Sequence, residues 1–431
     1  MSVYTIRGGN RISGEVPVHG AKNAALPILA AAAICGDCVI HNCPRLTDVS
    51  VAMEILQCLG CKVRRQGDAV VTTGGGGGDC RIPDRLMGAM RSSIVFLGGM
   101  VAKNGAAQLT LPGGCELGAR PIDLHLSALS QMGAVIREGG GQLHCTAPEG
   151  LHGARINLSF PSVGATENTL IAAAAAKGET VLTGAAREPE VMDLIAYLRG
   201  CGARIALELD GTIRVEGVKK LGGTEHRVIP DRIAAGTYLC AAAMTGGELV
   251  AQRVEPGHLF SCLSVLAGAG CRVQTGRDWV RLTAPERLSG FGTVKTMPYP
   301  GFPTEMQSVM MAAAAVARGT TVFVENIFES RYRHVPELLK LGANILTEGR
   351  AAVVEGVQRL TGAGNLVCTD LRGGAAVVLA ALAADGESAV TGLAHIDRGY
   401  EDLEGNLSRL GADIKRLDEE TDEKVQWTEA G

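Results

Sequence analysis

The sequence is poor in aromatic residues, which make up 3% of its 431 positions. Hydrophobic residues nevertheless reach 46%, so the core must be filled mainly by Ala, Val, Leu and Ile. At about 150 residues per domain, a chain of this length is expected to form two or three domains. The composition therefore predicts large cores built from small side chains.

An excess of positive charge and long apolar runs are also missing. Lys and Arg total 41 against 45 Asp and Glu, which gives a net charge of −4 without a basic block. A nucleic-acid partner is therefore not expected. The longest nearly apolar stretch, about residues 24–36, is shorter than the ~20 residues of a membrane span. The start, MSVYTIRGGN, lacks the features of a secretory signal. We expect a cytoplasmic protein with no membrane association and no obligate protein partner.

Compact, regular cysteine spacing is absent although the chain has 13 cysteines. A disulfide framework is not expected, and we predict neither a metal site nor a cofactor. One cysteine stands apart from the apolar surroundings of most others. Cys115 lies in LPGGCELGARPID, residues 111–123, after two glycines and five positions before Arg120. A nearby cation and backbone amides favour the thiolate form, which is the nucleophilic one.

A short signature recurs six times and indicates a repeat architecture. It reads LGCKV, MGAVI, CGARI, AGCRV, LGANI and LGADI, and its glycines are 68 to 73 residues apart: Gly60, Gly133, Gly202, Gly270, Gly342 and Gly411. Each signature ends a helical pattern and opens a strand that begins with a β-branched residue in most copies. A glycine at that point can adopt the left-handed conformation that ends a helix.

Upstream of most signatures lies a second, alanine-rich helical pattern. The five clearest copies are NAALPILAAAAI, ENTLIAAAAA, AAGTYLCAAAM, EMQSVMMAAAAVA and AAVVLAALAA. Alanine lets helices approach closely, so these helices are expected to be buried together. The repeating unit is predicted as strand–helix–strand–helix–strand–strand. Six units fit two α/β domains of three each, with strands outside, helices inside and a cleft between the domains that suits a small molecule.

Polar residues stand at the start of several of these helices. A helix N-terminus with a nearby cation is an anion site. Any single arginine is more often a surface residue, but four cations at matching repeat positions favour convergence on phosphate: Lys22, Arg91, Arg120 and Arg398. Glu305 begins a buried-looking helix in FPTEMQSV, and Ser162, Val163 and Gly164 occupy the matching place in SVGATEN.

Longer segments carry a specific resemblance. They are GAKNAALPILAA, LPGGCELGARPIDLHL, SVGATEN, AAREPE, RVIPDRI, GFPTEMQ, HVPEL, TDLR and HIDRGYE. On these segments, and through about residue 416, the chain resembles the UDP-N-acetylglucosamine 1-carboxyvinyltransferase family of enolpyruvyl transferases. The resemblance implies an inside-out α/β barrel of three repeats in each of two domains. The first would comprise residues 22–229 and the second residues 1–21 with 230–416, followed by an acidic, solvated tail at 417–431.

The resemblance also implies an activity. The family transfers the enolpyruvyl group of phosphoenolpyruvate to the 3′-hydroxyl of UDP-N-acetylglucosamine and releases phosphate, in the first committed step of peptidoglycan synthesis. It needs no cofactor and is the target of fosfomycin. Cys115 would act as general acid or as the covalent attachment point for phosphoenolpyruvate.

The family's other functional positions map onto this chain. The anionic groups of phosphoenolpyruvate would contact Lys22, Arg120 and Arg398, with Arg91 nearby, and Asn23 would contact the sugar. Glu305 would be the catalytic base. The remaining substrate contacts would come from Pro121, Ile122, Asp123, Leu124, Ser162, Val163, Gly164 and Ile327, with supporting roles for Asp231 and Asp370.

Two positions depart from the family pattern. Glu305 replaces an aspartate, which keeps the carboxylate but extends its reach by one methylene, and Phe160 replaces a residue that is often basic. A displacement of about 1 Å can cost ~10²-fold in rate. Two alternatives stay open, of which only the non-catalytic one is supported by these departures. One is the sister activity on shikimate 3-phosphate, and the other is a non-catalytic paralogue that binds UDP-sugar and phosphoenolpyruvate.

Overall fold

The computed structural model describes residues 2–74, 79–110 and 122–418. In these ranges the strands are β1 (Ser2–Arg7), β2 (Gly14–Pro17), β3 (Cys38–His41), β4 (Lys62–Gln66), β5 (Ala69–Thr73), β6 (Ala106–Thr110), β7 (Val135–Gly139), β8 (Gln142–Thr146), β9 (Arg155–Asn157), β10 (Glu179–Thr183), β11 (Arg204–Leu207), β12 (Ile213–Glu216), β13 (Glu225–Arg227), β14 (Glu248–Gln252), β15 (Arg272–Thr275), β16 (Trp279–Thr283), β17 (Gly292–Lys295), β18 (Thr320–Val324), β19 (Asn344–Glu348), β20 (Ala351–Glu355), β21 (Leu360–Thr361), β22 (Leu366–Val367), β23 (Ala384–Asp385), β24 (Glu387–Thr391) and β25 (Asp413–Asp418).

The helices alternate with these strands. They are α1 (Lys22–Ala32), α2 (Thr47–Cys58), α3 (Asp84–Ala89), α4 (Phe96–Asn104), α5 (Asp123–Gln131), α6 (Val163–Ala174), α7 (Pro189–Gly200), α8 (Arg232–Met244), α9 (Phe260–Gly268), α10 (Thr304–Ala315), α11 (Val335–Lys340), α12 (Leu371–Ala383) and α13 (Leu403–Arg409). Short 3-10 helices span Arg91–Val95, Pro256–Leu259 and Leu393–Arg398. No helix in the described ranges combines the length and apolar character required to cross a membrane.

Each of the six predicted units has its own sheet. In unit order the strand arrangements are β13-β3-β5-β4, β6-β8-β7, β11-β12-β10-β9, β15-β16-β14-β2, β17-β18-β20-β19 and β22-β24-β1-β25, with an additional β21-β23 pair. The prediction of six repeats in a two-domain α/β fold is therefore confirmed. In the described part of the chain the three sheets of a domain are separate hydrogen-bonded ladders and do not form a closed barrel.

The signature glycines adopt the predicted conformation. All six have positive φ, from 83° at Gly60 to 102° at Gly270. Each follows the last turn of an outer helix, where the left-handed region ends the helix and releases the chain into an edge strand. A side chain at these positions would strain the backbone, which explains why glycine recurs at this interval.

The alanine-rich helices lie inside, as predicted. Most of their residues are fully buried, and they pack directly against one another within each domain. In the second unit glycine takes the place of alanine, because a Cβ at Gly98 of α4 would collide with Asn168 of α6. Buried apolar side chains form two clusters, one drawn from residues 21–228 and one from 4–18 with 233–414.

The chain crosses between the two domains at two neighbouring points, and each strand next to a crossing pairs within its own domain. Strand β2 pairs in parallel with β14 of the second domain, and β13 pairs in parallel with β3 of the first. Between these strands and the next helices, Gly20 and Pro230 form an antiparallel bridge. The chain therefore passes twice through one narrow connection. The domain limits given above, at residues 22–229, stay a prediction.

Candidate active site

The cleft is lined by the N-terminal ends of the inner helices α1, α8, α10 and α12. The first two residues of α1 in the first domain contact the N-cap of α8 and the first turn of α10 in the second. The backbone N–H of Lys22 donates to Asp231 at 3.4 Å, and the side-chain amide of Asn23 donates to Glu305. The polar helix starts predicted from sequence therefore meet across the domain boundary.

One cluster joins two cations to a single carboxylate. Lys22 Nζ lies 3.2 Å from Asp48 Oδ2, and Arg398 Nε lies 2.9 Å from Asp48 Oδ1. The Asp48 side chain is 3% exposed, whereas Arg398 is 36% exposed. Burial lowers the pKa of Lys22 from its ordinary value, and Asp48 opposes this effect. The Asp48 cluster carries a formal charge of +1 and presents the partly exposed Arg398 to solvent.

A second cluster surrounds Glu305. Asn23 Nδ2 lies 3.1 Å from each carboxylate oxygen of Glu305, and Arg372 donates to Oε1 at 3.0 Å. Burial acts to raise the pKa of Glu305, but the Arg372 and Arg232 guanidinium groups outweigh it and lower the pKa to about 2. Glu305 is therefore ionised at neutral pH, and the Glu305 cluster (Asn23, Glu305, Arg372) is neutral in sum.

Arg372 is a buried cation with hydrogen-bonding capacity left over. Its guanidinium carbon lies 5.2 Å from the centre of the Tyr400 ring, which favours a cation–π contact. The side chain is 3% exposed. Nε and Nη1 make no well-aligned hydrogen bond to a described residue, and Tyr400 is the polar neighbour of the guanidinium. Because a buried unpaired N–H is costly, these groups are suited to an anionic ligand.

Asp231 and Asp370 have a structural role. Asp231 Oδ1 accepts from the backbone N–H groups of Ile233 and Ala234, both at 2.8 Å, and so caps α8. Asp370 Oδ1 caps α12 in the same way, accepting from Arg372 and Gly373 at 3.0 and 2.9 Å. Each cap satisfies N–H groups that the helix leaves free. The two predicted supporting residues thereby fix the helix starts that carry Arg232 and Arg372.

The predicted nucleotide segments adjoin each other. Ile122 precedes α5, which begins with Asp123 and Leu124, and Ser162 caps α6, with Val163 and Gly164 in its first turn. The two helix starts meet through His125, since a Cβ on Gly164 would lie 3.2 Å from its ring. Burial lowers the pKa of His125 to about 4, so the ring is neutral at pH 7.

The loop that carries Ile327 is fixed by a buried carboxylate. The N–H of Ile327 donates to Glu325 at 2.8 Å, and the Thr296 and Thr304 hydroxyls both donate to Glu325 at 2.9 Å. Thr304 is the first residue of α10 and directly precedes Glu305. Glu325 therefore couples the Ile327 loop to the helix that carries the candidate base.

A third contact between the domains lies beside the Glu305 cluster. Arg232 of α8 binds both oxygens of Glu190 at 2.9 and 3.3 Å, with both side chains less than one-tenth exposed. The N–H of Tyr299 donates to Glu188 at 3.3 Å. Burial, with Glu190 and Glu188 nearby, raises the pKa of Glu167 well above its ordinary value.

For four of the predicted site residues the structure describes no side chain. Cys115, Arg120 and Pro121 lie outside the described residues, and Arg91 is described only as the first residue of the 3-10 helix Arg91–Val95. Conversely, sequence reasoning gave no role to Asp48, Arg372, Arg232 or Glu190. The last three fall in the segments TDLR, RVIPDRI and AAREPE, which resemble the family, so their signal was present. Asp48 stands near the start of α2, where an acidic residue is ordinary.

Comparisons with known proteins cover nearly the whole chain. The family model described as EPSP synthase (3-phosphoshikimate 1-carboxyvinyltransferase) matches residues 6–407. UDP-N-acetylglucosamine 1-carboxyvinyltransferase 2 of Caldanaerobacter subterraneus subsp. tengcongensis is 48% identical over 97% of this chain and 100% of its own. UDP-N-acetylglucosamine 1-carboxyvinyltransferase 1 of Symbiobacterium thermophilum is 49% identical over 96% and 95%.

Solved structures agree on the fold. The enolpyruvyl transferase NikO from Streptomyces tendae is 28% identical with a TM-score of 0.88, covering 96% of this chain and 98% of its own. EPSP synthase from Acinetobacter baumannii has a TM-score of 0.75 at 20% identity, with coverage of 97% and 100%, and shows the fold alone. The chain belongs to the EPSP synthase family of enolpyruvyl transferases and, within it, groups with the UDP-N-acetylglucosamine 1-carboxyvinyltransferases.

Proposed function

We propose that this protein transfers the enolpyruvyl group of phosphoenolpyruvate to the 3′-hydroxyl of UDP-N-acetylglucosamine and releases phosphate. The observation that carries the proposal is the pair of ionic clusters where the two domains meet. One holds two cations on Asp48, and the other holds an ionised carboxylate on Asn23 and Arg372. An anionic substrate and a hydroxyl that must lose a proton require these two environments.

The Asp48 cluster is the proposed site for phosphoenolpyruvate. Lys22 and Arg398 would bind its phosphate and carboxylate, and Asp48 holds the two cations together across the domain boundary. Such fixed charges stabilise the negative charge that develops during reaction. The unpaired N–H groups of Arg372 are a further donor to the same anion. Arg120 and Arg91 complete the predicted set.

Glu305 is the proposed base. The 3′-oxygen attacks C2 of phosphoenolpyruvate while its proton passes to Glu305, and Cys115 delivers a proton to C3. The resulting tetrahedral adduct then expels phosphate and returns one C3 proton to the Cys115 thiolate, which restores both the double bond and the thiol. Glu305 is in the ionised form that a base requires, but a pKa of about 2 makes it weak. We therefore expect the acceptor hydroxyl to displace the Asn23 amide from the carboxylate as it binds.

The nucleotide of the acceptor is proposed to bind where α5 and α6 begin. Ile122–Leu124 and Ser162–Gly164 offer backbone N–H groups there, and Ile327 would contact the acceptor from the second domain. Phe160, 42% exposed, stands beside Ser162. The proposal includes domains at 22–229 and at 1–21 with 230–416, a cytoplasmic location and a role in peptidoglycan synthesis.

The test is phosphate release from phosphoenolpyruvate with each acceptor in turn. We expect release with UDP-N-acetylglucosamine and not with shikimate 3-phosphate. Release with shikimate 3-phosphate alone would contradict the proposal. Binding of UDP-N-acetylglucosamine without any release would favour a non-catalytic protein. Cys115→Ser should lose turnover and covalent inactivation by fosfomycin together, and unchanged inactivation would remove Cys115 from the mechanism.

A further inference from the structure

The six sheets permit a position-by-position comparison of their solvent faces. In each unit three residues lie side by side across three neighbouring strands at the centre of that face. In unit order these rows are Val39–Val71–Arg64, Gln108–His144–Arg137, Val181–Arg214–Ala206, Val250–Arg281–Gln274, Val322–Val353–Leu346 and Ala389–Thr5–Lys415. Five rows contain an arginine or lysine. The row of the fifth unit contains only aliphatic side chains.

The apolar row is exposed where it reaches the edge of its sheet. Leu346 is 69% exposed and Val353 is 39% exposed, whereas the neighbouring Ile345 and Val354 point into the core. Strand β19, which carries Leu346, is the last strand of its sheet, and no strand of the described residues pairs with its outer side. Its backbone groups on that side are therefore free to pair with another chain.

The equivalent edges of the other five units are protected by positive charge. Each of these edge strands carries Lys or Arg: β4 has Lys62, Arg64 and Arg65, β7 has Arg137, β11 has Arg204, β15 has Arg272, and β25 has Lys415 and Arg416. Lys and Arg on an edge discourage pairing with a second strand. Strand β19 reads Asn-Ile-Leu-Thr-Glu and carries neither. The next cation along the sequence, Arg350 in the following turn, lies outside β19 and bonds Asn326 O at 3.1 Å and Glu329 at 3.9 Å. Arg204 on β11 and Arg416 on β25 are also ion-paired, with Glu216 and Asp397, but they lie within their edge strands.

We propose that β19 is a self-association edge, which pairs antiparallel with β19 of a second copy of this chain. A two-fold axis at Leu346 places Leu346 opposite Leu346 of the other copy and Asn344 opposite Glu348, so no like charges face each other. The same two-fold pairing of β4 would place Arg64 opposite Arg64 of the other copy, and that of β7 would place Arg137 opposite Arg137. Both arrangements bring like charges together. Self-complementarity of this kind is what a two-fold interface requires, and it favours a second copy over a different partner.

The interface is small, so the fraction of protein present as dimer should depend strongly on concentration. Each copy contributes a five-residue strand and the exposed part of one apolar row. Such a contact falls below the ~1,200 Å² of standard interfaces, in the range of weak and transient association. The pairing extends two sheets into one on the outside of the second domain. It involves none of the residues assigned to the cleft and is independent of the proposed function.

The test is the mass of the full-length protein in solution as a function of concentration. We expect the molar mass of the wild type, measured by sedimentation equilibrium, to rise with protein concentration from 44.7 kDa towards twice that value. Leu346→Lys should keep the protein monomeric at every concentration. The matched control is Val135→Lys on the edge strand β7, where the native valine is 49% exposed, and it should behave as the wild type. Far-UV circular dichroism and a thermal unfolding midpoint like those of the wild type show that both variants are folded.

Cross-linking provides a second readout of the same geometry. Directly opposed residues of antiparallel strands have Cα atoms about 4.5 or 5.5 Å apart, and both distances suit a disulfide. Oxidation of Leu346→Cys with diamide should therefore join two chains as the diazene takes up the two thiol hydrogens, whereas Val135→Cys and the wild type should not be joined. A wild type that stays monomeric, a dimer that survives Leu346→Lys, or association only with a different protein would each overturn the proposal.

Discussion

The two ionic clusters of the cleft differ in their ratio of cations to carboxylates. At Asp48 one carboxylate holds two cations, whereas at Glu305 one cation and one amide hold a carboxylate. The first cluster has an excess of positive charge, which suits an anion, and the second has an ionised carboxylate, which suits acceptance of a proton. Under the proposed function, the balance of charge in each cluster decides whether it binds the anion or accepts the proton.

The largest expected effect is on turnover at the Glu305 cluster. Glu305→Gln keeps the size and the contact with Asn23 but cannot accept a proton, so kcat should fall by about 10² to 10⁴-fold. The measurement is phosphate release at saturating substrates. Glu305→Asp is the matched control, because it retains the carboxylate and should keep most of the activity. Equal activity of Glu305→Gln and the wild type would remove Glu305 from proton transfer.

The next largest effect is on binding at the Asp48 cluster. Asp48→Asn removes the carboxylate that opposes the lowering of the Lys22 pKa by burial. The pKa of Lys22 should fall further, so the ammonium form is lost at lower pH than in the wild type. We expect KM for phosphoenolpyruvate to rise about tenfold at neutral pH, and to rise more steeply with pH. If the increase in KM were the same at every pH, Asp48 would not act through the charge of Lys22.

Acid stability tests the Glu305 cluster in the absence of substrate. The folded-state pKa of Glu305 is lowered to about 2 from 4.5. Its contribution to stability is therefore present above pH 4.5 and is lost as the pH falls towards 2. Glu305→Gln should flatten the decrease of the unfolding free energy across this interval, as measured by denaturant unfolding at several pH values. An unchanged slope would show that Arg372 does not stabilise the charge of Glu305.

The smallest effect on turnover is expected at the contact between Arg232 and Glu190. Glu190→Gln leaves a buried guanidinium without its counter-charge, which typically costs about 3–5 kcal/mol of stability. Arg232 helps to lower the pKa of Glu305, but it makes no hydrogen bond in either cluster and keeps its charge in this variant, so kcat should change only a few-fold. Denaturant unfolding and phosphate release on the same preparation separate the two outcomes. A loss of turnover as large as that of Glu305→Gln would place this ion pair in the chemistry.

Local signals predicted the scaffold better than they predicted the partners within the cleft. The φ angles of Gly60 and the five matching glycines followed from helix ends, which are set within one turn. The pairing of β2 with β14 could not be predicted, because strands more than 200 residues apart in the sequence leave no local pattern. Asp48 was missed for the same reason, since its partner Arg398 lies 350 residues away.

The departures at Glu305 and Phe160 illustrate a second limit. The sequence showed that the carboxylate was longer than in the family pattern, and the structure adds that Asn23 and Arg372 hold it at both oxygens. Phe160 remains beside the predicted nucleotide segment, where its backbone carbonyl accepts from Ser162 N–H at 2.7 Å. Both departures stay predictions from the family resemblance, and the contacts add the hydrogen bonds that surround the first.

The most direct test of the account is a steady-state comparison of Asp48→Asn with Glu305→Gln in the phosphate-release assay with UDP-N-acetylglucosamine. The account predicts that Asp48→Asn raises KM for phosphoenolpyruvate with the smaller change in kcat, whereas Glu305→Gln lowers kcat with the smaller change in KM. If both substitutions altered the same parameter to the same extent, the division of the cleft into an anion-binding and a proton-accepting cluster would be wrong.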